Sequence, residues 1–155
     1  MTADGKIGML RHTVATLAYR GGKALRGAPA EFAGYGTRTP GEILAHVCDL
    51  FDWALTIADG KEAWHNSRPQ AWDADVARFF AALEAFDRRL ASGIPLAVEP
   101  EGLFRGPVAD ALTHVGQIAM LRRMAGCPVS GENYFVAAIE MGRVGADQAA
   151  PVREF

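Results

Sequence analysis

Asp110-Ala111-Leu112-Thr113-His114-Val115-Gly116-Gln117 places a carboxylate, an imidazole and an amide within eight residues of an otherwise uncharged run. Asp110 and His114 are four residues apart, so on a helix they stand one above the other, and Gln117 extends that line by almost a turn. The flanking residues from Pro107 to Leu121 add no other charge. The stretch therefore reads as a helix enclosed nearly all round, with no charged face for water. A carboxylate and an imidazole in such surroundings need partners, because an unpaired buried charge is costly or is neutralised by a pKa shift. A metal ion is one economical partner.

Working outward, three further amphipathic runs supply walls for that helix. In the first, Ile7, Leu10, Val14 and Leu17 recur at helical spacing and Leu25 follows the paired glycines Gly21-Gly22, a weak point. The second begins at Thr39-Pro40-Gly41-Glu42, where Thr39 caps, Pro40 suits the first helical position and Glu42 reaches back. It runs to about Ala58 and stops at Asp59-Gly60. Asp73 is expected to cap the third, which carries Val76, Phe79, Phe80, Leu83, Phe86 and Leu90 inward. Asp75, Arg78, Glu84, Asp87 and Arg88 fall mostly on its outer face, and Ser92-Gly93 ends it.

Ile94 to Arg105 is the longest irregular crossing, and Gly106-Pro107 opens the central helix, which closes at Arg122-Arg123 ahead of Gly126 and Pro128. Val129 to Glu140 suggests a short fifth helix, and the tail after Gly142 has little pattern. No stretch alternates for long at period two. The expectation is one all-α domain spanning residues 1–155, four main helices in a bundle with an additional short C-terminal helix.

Composition sets limits. A chain of 155 residues, half of them hydrophobic, can bury a core without staples. A net charge of −2 gives no basic footprint for nucleic acid. No segment reaches the length of a membrane span and Met1 to Lys6 carries no signal-like apolar run, so a cytoplasmic protein is expected. Cys48 and Cys127 lack CxxC spacing and read as reduced, structural thiols.

The other histidines carry different weights. His12 falls opposite the apolar side of its helix and reads as solvated. His46 borders the apolar face of the second helix, one turn from Ile43 and Leu50, where a core or hydrogen-bonded role is the default. The Asp110/His114 pair shifts that reading toward a shared site. His65 sits in the Lys61–Trp72 loop, among aromatic anchors, and is a weaker candidate for a pocket wall.

Two segments carry a family likeness. Thr39-Pro40-Gly41-Glu42-Ile43-Leu44-Ala45-His46 and His114-Val115-Gly116-Gln117-Ile118 resemble the first-histidine helix and the His-Arg-Gly-Gln element of the DinB/YfiT-like metalloenzymes. The resemblance implies a four-helix bundle of that type, a divalent metal, zinc or nickel, and His46 and His114 as ligands. Asp110 stands where that family usually has its third histidine, and Val115 where it often has arginine. A carboxylate there is a ligand type zinc accepts. The resemblance also implies a homodimer, a small-molecule substrate and a low-molecular-weight thiol as cofactor. Gln117 is either a hydrogen-bond partner behind a ligand or a polar helix-packing group.

Two functions follow from these residues. One is a divalent-metal-dependent enzyme, a thiol-dependent transferase or a hydrolase, acting on a small electrophile. The other is a non-catalytic binding or dimerisation module in which His46, Asp110 and His114 form only a structural cluster.

Overall fold

In a computed structural model that describes Met1–Phe155 throughout, four long helices form and no strand does. They are α1 (Ala3–Leu25), α2 (Pro40–Ala58), α3 (Trp72–Ala91) and α5 (Ala109–Met124), with a single turn, α4 (Pro100–Leu103), leading into α5. Helices α1 and α2 each pack on both α3 and α5, so the four stand in the ring order α1, α3, α2, α5. Phe51, Phe79, Phe86, Leu17, Leu44, Leu83 and Ile118 fill the centre and are fully buried. Each such side chain contributes about 1.5–3 kcal/mol on burial.

Local chemistry explains several ends. Thr39 Oγ1 accepts from the Glu42 amide while the Glu42 carboxylate accepts from the Thr39 amide, a closed capping box with Pro40 in the first turn. Gly60 and Gly93, at φ +70° and +71°, carry the chain out of α2 and α3. Gly21 is needed for another reason: a Cβ there would lie 2.5 Å from the Phe79 ring, so its absence lets α1 and α3 approach.

Several expectations are corrected. Helix α3 starts at Trp72, not after a capping Asp73, and Ala71 holds the cap position without a side-chain bond. Trp72 is buried edge-on to Phe32, which fixes the helix start two residues early. Asp75 and Asp87 are inside rather than on the outer face. Asp75 accepts from the Gln70 amide, and Asp87 takes a two-pronged bond from Arg11 at 2.8 and 3.0 Å.

The central helical segment begins earlier than Gly106, at Pro100, and passes through a π turn over Phe104–Val108. Pro107 has no amide to donate and Gly106 leaves helical geometry (φ −86°, ψ −105°), so the ladder slips there before α5 resumes. Nor is α5 enclosed all round: Asp110, Thr113, Gly116, Met120, Arg123 and Met124 face outward, because only α1 and α2 cover it.

The short fifth helix reduces to one 3₁₀ turn, Tyr134–Val136. Glu132 explains this. Its carboxylate is buried beside α1, taking bonds from Tyr19 Oη at 2.6 Å and Lys23 Nζ at 2.8 Å. Its backbone pairs with Glu154, and these long-range bonds hold the chain extended where local propensity favours helix. The patternless tail thereby has a place: Val144 enters the core and Phe155 lies against Gly131.

Candidate metal centre

Because α2 packs on α5, the flank of α2 that carries His46 meets the line Asp110–His114. His46 Nε2 lies 3.5 Å from one oxygen of Asp110, and His114 Nε2 lies 3.4 Å from the other. The imidazoles stand at right angles with centroids 4.8 Å apart. The ligand-type atoms of all three residues lie within 4.8 Å of one another. The structure thus brings together the three residues that the sequence singles out.

The spacing has room for a cation. At zinc–ligand distances of about 2.0–2.1 Å, the edge of a tetrahedron is about 3.3–3.4 Å. The His114–Asp110 separation falls on that value and the His46–Asp110 separation lies just above it; each runs to a different carboxylate oxygen, and both are long for a direct hydrogen bond. Gln117 Oε1 lies 2.7 Å from His114 Nδ1. A carbonyl oxygen only accepts, so His114 Nδ1 donates to Gln117 and Nε2 is the nitrogen that faces Asp110.

No arginine competes for Asp110. Arg122 is buried, closing the end of α1 through Ala24 O and Arg26 O and bonding Cys127 O. Arg123 makes no ion pair and faces outward. The Asp110 side chain is 47% exposed, against the sequence expectation of an enclosed carboxylate. Burial therefore does not force Asp110 to find a partner; convergence with two imidazoles is what marks the site, and the exposure leaves one side open to solutes.

A second cluster, not anticipated from sequence, lies beside the first. Buried Asp49 accepts from the Ser67 amide and hydroxyl, each at 2.7 Å, and from Arg78 Nη2 at 2.6 Å. Arg78 Nη2 also reaches Asp52 at 2.6 Å, and His65 Nε2 is 3.0 Å from Asp49 and 3.3 Å from Asp52. Asp49, Asp52 and His65 have metal-ligand spacing, but the guanidinium already supplies the cation between the carboxylates. Burial pushes the Asp49 pKa up; the Ser67 amide, Arg78 and the Ser67 hydroxyl outweigh it and hold it below the ordinary carboxylate value. The one signal in the sequence is Asp49 itself, a carboxylate set among Val47, Cys48, Leu50 and Phe51.

This cluster pins the loop that follows α2. Trp64 in that loop lies edge-on to both His46 and Trp53, and its indole nitrogen donates to Asn66. His12 is exposed, as its position on α1 implies. Cys48 and Cys127 are free thiols, and burial pushes the Cys48 thiol up to about 12, which leaves it protonated and inert at neutral pH. Comparison with family models, curated proteins and solved structures finds no match to this chain.

Proposed function

We propose that the chain is a divalent-metal-dependent enzyme of the DinB/YfiT-like bundle type, with zinc or nickel held by His46, Asp110 and His114 and with a small electrophile as substrate. The observation that carries the reading is the pair of separations around Asp110, 3.4 and 3.5 Å, with Gln117 on His114 Nδ1 and His114 Nε2 turned into the gap. A metal so held would supply a Lewis acid that lowers the pKa of a water or a low-molecular-weight thiol.

The chain's own groups have separate tasks. His46 and His114 would present nitrogen donors to the metal, and Gln117 holds His114 through Nδ1, the nitrogen away from the centre. Asp110 offsets part of the cation's charge. The Trp64 ring covers one edge of His46, while the open side of Asp110 admits the substrate. Three protein ligands leave a coordination position free, the arrangement of a reactive rather than a structural site.

Titration of tag-free protein with zinc or nickel tests this. One ion per chain is expected, with uptake abolished in His114→Ala and helical circular dichroism retained, since the core lies elsewhere. No stoichiometric uptake overturns the enzyme reading and leaves a non-catalytic bundle with a polar cluster.

A further inference from the structure

We propose that the cleft beside His46 binds a small organic anion whose carboxylate is held by Arg38 and Arg68. The proposal deepens the metal-enzyme reading, because it names the kind of substrate or co-substrate that would be delivered to the centre, and its link to catalysis rests on that reading.

The cleft has a volume of about 280 Å³, is walled by Arg38, Glu42, His46, Asn66, Arg68 and their neighbours, and has no hydrophobic lining residue. A space of this size without an apolar wall suits a small charged solute rather than an acyl chain or an aromatic body. Its own carboxylates are already engaged. Glu42 is held by the amide and hydroxyl of Thr39, which keep its pKa low, and Asp49 by Ser67 and Arg78. Arg38 and Arg68 line the cleft without an ion pair or a side-chain hydrogen bond; Arg38 lies near enough to Glu42 to help lower its pKa, and Arg68 is the freer charge. A guanidinium fork matches a carboxylate in shape and donor count.

The backbone of the walls is fixed in advance, although the Arg38 and Arg68 side chains themselves are exposed. Asp49 clamps Ser67 at both its amide and its hydroxyl, which sets the backbone from which Arg68 projects. Asn66 holds Trp64, and Arg38 directly precedes the Thr39 capping box. Pre-ordering of this kind lowers the cost of binding. The Asp49–Arg78–Ser67 cluster thereby has a purpose beyond joining α2 to α3: it builds one side of a cleft. Because His46 lines the cleft as well, an anion seated there lies against a residue of the candidate metal centre.

Calorimetric titration with succinate, and with neutral succinamide as the control, tests the proposal on metal-free and on zinc-treated protein. Saturable one-to-one binding of succinate is expected in both forms, and none of succinamide. Loss of a charge-assisted bond should weaken succinate roughly ten-fold or more in Arg38→Gln and in Arg68→Gln. Arg123→Gln, which removes the same charge from an exposed site on α5, should leave binding unchanged. Absence of saturable succinate binding in both forms overturns the proposal, as does equal weakening by Arg123→Gln, which would reduce the effect to net charge. Succinate binding without zinc uptake overturns the metal reading alone; zinc uptake without succinate binding overturns this one alone.

Discussion

His114 owes its orientation to Gln117, and the value of that contact is measurable. Removing the hydrogen bond behind a metal-ligating imidazole typically weakens metal binding about 10–100-fold. Gln117→Leu should therefore bind zinc more weakly by that factor in a competition titration. Unchanged affinity would reduce Gln117 to a packing group. Arg78 is a residue of stability instead. Arg78→Ala leaves Asp49, 2% exposed, without its cation, and should cost about 3 kcal/mol in denaturant unfolding. The acid dependence follows from the lowered Asp49 pKa. Its contribution is fully present above the unfolded carboxylate value of about 3.9 and is lost as pH falls through the lower folded value. Asp49→Asn should remove that part of the acid slope, read from unfolding midpoints between pH 6 and pH 2. At this scale Asp110 and His114 were readable because the helical repeat alone aligns them. Asp49 and His65 were not, since their cation, Arg78, comes from another helix, and spacing along one helix says nothing about its neighbour.

Among the elements, those whose ends are set by nearby residues were readable and those set by distant ones were not. The start of α2 is written in Thr39, Pro40 and Glu42, and Thr39→Ala should lower stability by about 1 kcal/mol. Gly21-Gly22 reads as a weak point of α1, yet at Gly21 the missing side chain is what admits Phe79. Gly21→Ala should thus destabilise by about 1–3 kcal/mol despite the better helix propensity of alanine, because the methyl group meets an aromatic ring in a filled core. A gain in thermal midpoint would contradict this. The expected C-terminal helix fails because Glu132 is claimed by Tyr19 and Lys23, more than a hundred residues away in sequence. Likewise the exposed side of α5 was hidden by its composition: between Asp110 and Arg123 it presents Thr113, Gly116 and Met120, with no charge to announce a solvent face.

At the scale of the molecule, the ring of four helices around one core was readable as an all-α fold, and no helix is long and apolar enough to cross a membrane. The expected homodimer would cover some of the exposed apolar side chains, among them Met120, Met124, Phe135 and Phe155. Sedimentation at micromolar concentration should then give twice the chain mass, and a monomer would remove it. The central claim concerns the point where α2 meets α5. The most direct measurement is anomalous diffraction at the zinc edge from crystals of zinc-treated protein. A single peak is expected, about 2.0–2.2 Å from His46 Nε2, His114 Nε2 and an Asp110 oxygen together. A peak on only one or two of these side chains, or none between them, would contradict it.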